Sequence, residues 1–153
     1  MEQFADFMDK YFFYIWLAIM LTIVSNFYFR GKAAIREFGP IDTSTIIYSE
    51  KSASGYSNKS WKTKRGGASK VLHILITEKE LIIKTYLFLA YIAKRNDMLH
   101  RIPLENITST TLKKGTFSSK LYLTFTTIEG KDKEIVLMSQ NNLQIKEILD
   151  KYV

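Results

Sequence analysis

Five cations fall within twelve residues at Lys59, Lys62, Lys64, Arg65 and Lys70, and no acid lies among them. Such a cluster attracts anionic lipid headgroups or an acidic protein partner; the competing reading is a solvated charge run that keeps the domain soluble. Trp61 sits inside the cluster and supplies an aromatic packing point. A second group, Tyr86, Leu87, Phe88, Leu89 and Tyr91, belongs to the apolar run Tyr86–Ala93, which Lys84 and Lys94-Arg95 flank. That run is too short to span a bilayer. It reads either as a fully buried strand or as an apolar edge that dips into a membrane interface or docks a partner, with its lysines at headgroup level.

Other chemistry has little to stand on. The chain has no cysteine, which excludes disulfides, thiolate catalysis and Cys-based zinc or iron–sulfur sites. His73 lies in an apolar strand and His100 beside Leu99 and Arg101, neither with a second ligand at metal spacing, so no metal site is expected. No nucleophile elbow, phosphate loop or metalloprotease helix motif is present. Asp97 and Glu105 are isolated acids near apolar strands, and one carboxylate does not make an acid/base pair. A binding protein without cofactor is expected, and not an enzyme.

These residues need elements to position them, and the first element is the clearest. Tyr11 to Phe29 is nineteen residues without a charge. As a helix it is roughly 28 Å long, close to the ~30 Å hydrocarbon core of a bilayer. Tyr11, Tyr14 and Trp16 mark one end, Phe27, Tyr28 and Phe29 the other, with aliphatics from Leu17 to Val24 between. Aromatic rings at both interfaces suit a spanning helix. Within it, Ser25 and Asn26 are the strongly polar side chains; they lie near the cytoplasmic interface and need no partner, or else offer hydrogen bonds to a partner helix in a homo-oligomer. A cleaved signal peptide is the rival, with Gly31-Lys32-Ala33 as its small-x-small site; against it stand an acidic N-terminus and an overlong apolar run. Arg30, Lys32 and Arg36 follow the span while Lys10 precedes it. This bias places the C-terminal part in the cytoplasm and the chain in the inner or plasma membrane.

The net charge of +7 is uneven: residues 1–29 carry −2, so the remainder carries +9. A basic surface also suits nucleic acid, but a membrane tether makes that the less favoured partner. The organisation expected is a short N-terminal segment (1–10), a transmembrane helix (11–29), a linker (30–45) holding Gly39-Pro40, and one domain (46–153). Some 124 residues after the span suffice for one core and not two.

Within that domain Ile46–Tyr48 reads as a short strand, and Ser49–Lys70 as a loop or a pair of edge strands around Gly66-Gly67. Val71–Thr77 and Leu81–Thr85 flank a polar turn, and Leu99–Ile107 is a strand interrupted at Pro103. Leu121, Leu123 and Phe125 alternate with Tyr122, Thr124 and Thr126, and a turn at Glu129–Asp132 leads to Lys133–Met138. Ser139 is a candidate N-cap for a last helix, about 140–152, with Ile145, Ile148, Leu149 and Tyr152 on one face. The fold class expected is mainly β: an antiparallel sandwich or partly open barrel capped by a C-terminal helix and preceded by one transmembrane helix.

The hairpin Ile76, Thr77, Leu81, then Ile102-Pro103-Leu104-Glu105-Asn106-Ile107, then a meander and a closing helix resembles bacterial pleckstrin-homology-like (PH-like) and GRAM-like domains over roughly Tyr48–Val153. Ser54–Trp61 resembles part of a group of membrane-anchored bacterial proteins. The resemblance implies a binding or scaffolding module at a membrane, and brings no catalytic residues. Lys59, Lys62, Lys64 and Arg65 are similar in placement, though not in spacing, to the basic signature with which eukaryotic pleckstrin-homology domains grip phosphoinositides. The function expected is a membrane-anchored module contacting anionic phospholipid or a protein. The alternatives are a subunit of a larger membrane complex and a domain exported after signal cleavage.

Overall fold

The computed structural model describes residues 2–115 and 118–153. Helix α1 (Glu2–Arg36) is continuous for 35 residues, roughly 52 Å. Its stretch Lys10–Arg36 is long and apolar enough to cross a membrane. Seven strands follow: β1 (Ile46–Ser57), β2 (Ala68–Thr77), β3 (Glu80–Thr85), β4 (His100–Pro103), β5 (Ile107–Lys114), β6 (Ser119–Thr126) and β7 (Asp132–Met138). Between them lie α2 (Trp61–Arg65) and α3 (Leu87–Arg95), and α4 (Asn142–Leu149) closes the chain.

All pairings are antiparallel, in the order β4-β3-β2-β1-β7-β6-β5. The edge strands β4 and β5 are joined by Leu104–Asn106 alone. Three residues reach about 10 Å, whereas the edges of a flat seven-stranded sheet stand about 29 Å apart. The sheet must therefore curl. It does, and the His100 and Phe125 rings of β4 and β6 meet edge to face at 5.3 Å. β1 pairs with β2 through three register shifts and with β7 over Ser54–Ser57, and such irregularities bend a strand and increase its twist. Alternate residues of the curled strands fill one core: Leu72, Ile74, Leu81, Ile83, Leu121 and Leu123 are all fully buried.

Three expectations change. The strand expected at Ile46–Tyr48 runs on to twelve residues. Of the two readings of Ser49–Lys70 the pair of strands around Gly66-Gly67 is the nearer, but both are central rather than edge strands. Ser60–Arg65 between them is a capped turn plus short helix. The inward positions of β1 hold small residues, Ala53, Gly55 and Ser57, which conceal it from hydropathy patterning. A Cβ on Gly55 would lie 2.8 Å from both Met98 and the Val136 carbonyl, so a larger residue does not fit there. The run Tyr86–Ala93 is not a strand; its residues from Leu87 onward form α3, with Ala90 and Ala93 buried while Phe88 and Ile92 stay exposed. Spacings of three and four on opposite faces belong to a helix. The last helix is also shorter, Asn142–Leu149, and Ser139 is not its N-cap. Ser139 Oγ accepts from Asn141 N–H, and the buried Asn142 amide donates to Ser119 O at 2.8 Å, tying the helix start to β6. Ile145 and Leu149 enter the core, while Tyr152 stays exposed.

Candidate functional site

The sequence of α2 explains its position. Ser60 takes the cap, with Ser60 Oγ accepting from Thr63 N–H at 3.2 Å and Thr63 Oγ1 accepting from Ser60 N–H at 2.9 Å. This reciprocal pairing starts the helix. Buried Thr63 also donates to Ser57 O at 3.0 Å, which fastens the helix to the end of β1. Gly66 closes it, and Asn96, just past α3, donates to the Gly66 carbonyl. Lys62, Lys64 and Arg65 thus share one short helix held against the end of α3. Arg65 lies over the exposed Trp61 ring at 4.1 Å, an arrangement that lets cation and ring face solvent together.

Helix α3 is in turn packed on the last part of α1. A Cβ on Gly31 would stand 2.0 Å from the Leu87 carbonyl, so the two helices approach as closely as only glycine permits there. Ala34, one turn on, is 3% exposed. Around this contact the rings of Phe27 and Tyr91 meet at 6.4 Å and those of Tyr28 and Phe88 at 6.1 Å. Arg30 donates to Tyr91 Oη at 2.7 Å and also covers the ring at 4.9 Å. Lys94 pairs with Glu37. The three helices then enclose a common hollow, in which Phe27 of α1 faces Lys62 and Thr63 of α2 and Tyr91 and Arg95 of α3.

The predicted cations are therefore only partly gathered. Lys62 borders the hollow beside Phe27, and Lys64 and Arg65 border a larger, serine-rich cleft between β1, β2 and the start of β6. Lys59 lies in the turn before α2, and Lys70 lies on β2, where its left-handed backbone (φ 54°) lets its N–H reach Ser54 Oγ. Neither borders either hollow. Of the apolar group, Leu87, Leu89 and Tyr91 are half-buried while Tyr86 and Phe88 are exposed. Sequence reading missed Arg30, Gly31, Glu37, Lys94 and Arg95 as parts of this junction. The Ser-x-x-Thr spacing at Ser60–Thr63 was the available signal for α2. No local signal marks the contact of Gly31 with Leu87, because it joins segments 56 residues apart.

The acids and histidines serve packing. Asp97, also left-handed (φ 55°), accepts from Ser57 Oγ and Lys133 Nζ, each at 2.9 Å. Burial pushes its carboxyl up, but Lys133, His100 and Ser57 outweigh that and hold it below the usual value. His100 is buried, donates from Nε2 to the Asp97 carbonyl at 2.7 Å, and is held below its ordinary pKa by burial, against the pull of Asp97. Among the described residues no group of three His, Cys, Asp or Glu is placed to hold a metal. The chain thus combines one long apolar helix with a curled seven-stranded antiparallel sheet and a closing helix. No family model matches it, and no curated protein does.

Proposed function

We propose that this chain is a single-pass membrane protein that holds a non-catalytic, PH-like β-domain against the cytoplasmic face of the inner or plasma membrane, where α2 and α3 contact anionic phospholipid or a protein partner. One observation carries the reading: Phe27, at the end of the apolar run, shares a hollow with Lys62 of the basic helix. If residues 11–29 cross the bilayer, α2 and α3 lie at its surface. Trp61, Phe88 and Ile92, each at least 42% exposed, then stand at interface depth with Lys62, Lys64, Arg65 and Arg95 beside them. Exposed rings and aliphatics among cations suit that boundary. The same end of α1 also gathers Arg30, Lys32 and Arg36, which favours a cytoplasmic domain. The strand order, the curl through a long β1 and the closing α4 support the PH-like resemblance.

The test uses the full chain with Trp16→Phe in lipid nanodiscs, leaving Trp61 as the fluorophore. Brominated phosphatidylglycerol is expected to quench Trp61 more than brominated phosphatidylcholine does, with the difference reduced by high salt and by Lys62→Ala/Lys64→Ala/Arg65→Ala. Unquenched Trp61 in both lipids overturns the surface contact. A second reading, a subunit of a larger membrane complex, draws on the exposed Phe88 and Ile92 beside the anchor, which also suit a partner helix. Export after signal cleavage fits less well, since cleavage near Gly31-Lys32-Ala33 would remove the helix on which α3 packs.

A further inference from the structure

The link between α1 and β1 passes over the outer face of the sheet. Arg101 of β4 fastens it there, donating to the Phe38 and Pro40 carbonyls. Leu75 and Ile82 point away from the main core yet are 3% and 0% exposed. Ile82 lies opposite Arg101 in the ladder, so the fastened link is what covers this face. Beside that covered area is a hollow of about 380 Å³ walled by Ile35, Phe38, Ile41 and Leu99. Its volume is within the ~300–1,000 Å³ common to small-ligand sites.

The rim has a different chemistry. Lys51, His73 and Lys84 stand on it and no Asp or Glu does. His73 and Lys84 are direct cross-strand partners. Neither lysine forms an ion pair among the described residues. Burial first, then Lys84 and Lys51, hold His73 below its ordinary pKa, so near neutrality the imidazole adds no charge to the rim. An apolar interior beneath two lysines with no counter-ion is complementary to a molecule with a hydrocarbon chain and one negative head. Ile35 is six residues past Phe29 on the same helix, about 9 Å along its axis, so the hollow opens near the end of the apolar run.

We propose that this hollow binds an anionic single-chain amphiphile, with its chain against Ile35, Phe38, Ile41 and Leu99 and its carboxylate or phosphate head between Lys51 and Lys84. The assignment uses none of the α2 cations and stands apart from the surface contact proposed above.

The experiment follows the ring signals of His73 and His100 by nuclear magnetic resonance, in the full chain carrying ¹³C-histidine in phosphatidylcholine nanodiscs. Dodecanoate or dodecyl phosphate is expected to shift the His73 signal saturably and leave His100 in place. The anion that saturates at the lower concentration identifies the head. Dodecyltrimethylammonium, with the same chain and opposite charge, should shift neither. Lys51→Gln/Lys84→Gln should raise the half-saturation concentration at least about tenfold. Ile41→Trp, which fills the hollow from the link, should abolish the shift. In each variant an unchanged His100 signal shows that the core is intact. A saturable response to the cationic amphiphile, no saturation with either anion, or an unaltered half-saturation in the double variant overturns the proposal.

Discussion

The chain packs itself in two places by two different kinds of contact. Inside the curled sheet, Leu and Ile side chains from different strands are buried to 0% exposure, and their interlocking has nothing to do with a membrane. Where α3 meets α1, the contact is built from Gly31, Ala34 and a ring of aromatics, with Arg30 capping Tyr91. Small residues that let backbones approach are what helices use when burying apolar bulk gives little advantage, as in lipid. The first contact makes the domain stable. The second decides where it sits relative to α1, and with it where the basic helix α2 points. Stability and placement are thus separable in this molecule.

Breaking the first contact should have the largest effect. Leu123→Ala empties a fully buried position and is expected to cost about 2–5 kcal/mol, read as a lower denaturant midpoint of the sheet while α1 keeps its helicity. Gly31→Leu is the counterpart at the second contact, since its side chain meets the Leu87 carbonyl. Hydrogen exchange should show α3 amides losing protection at least about tenfold while amides of β2 and β6 keep theirs. Equal loss in both would mean that the contacts are not separable.

Acid sharpens the comparison, because His100 and Asp97 both belong to the domain side. His100 is held below its ordinary value, so the unfolded chain takes up the proton first, and stability falls as pH drops below about 6.5. Asp97, also depressed, is fully stabilising above about pH 4, and its contribution is lost as pH falls through its lower folded value. Thermal midpoints between pH 8 and 5 should therefore decline, and His100→Gln should flatten that limb. The smallest effect is Tyr91→Phe, which keeps the ring and removes the Arg30 hydrogen bond; below about 1 kcal/mol is expected, a slight loss of α3 protection.

How much of this could be read in the sequence follows the same division. The β6–β7 hairpin was legible because Leu121, Leu123 and Phe125 alternate strictly, and they are 0%, 0% and 4% exposed. The long apolar helix was legible from the uncharged run Tyr11–Phe29. Of β1 only the start, Ile46–Tyr48, was, since a central strand that continues with Ala53, Gly55 and Ser57 inward has no hydrophobic period to show. α3 was misread because an apolar run of eight has no visible polar face, and both of its sides have apolar work: one against Gly31, the other exposed beside α1. The cations of α2 were found as a group, but which of them share a hollow with Phe27 depends on contacts between distant segments.

Sidedness tests the central claim most directly, because both the anionic leaflet and the cytosolic partners depend on it. The chain has no cysteine, so Ile128→Cys, 98% exposed in the β6–β7 turn and outside both hollows that α2 borders, gives a single thiol. On intact cells an impermeant maleimide should leave it unlabelled until the membrane is opened. Immediate labelling on intact or outer-membrane-permeabilised cells would place the domain outside and contradict the account.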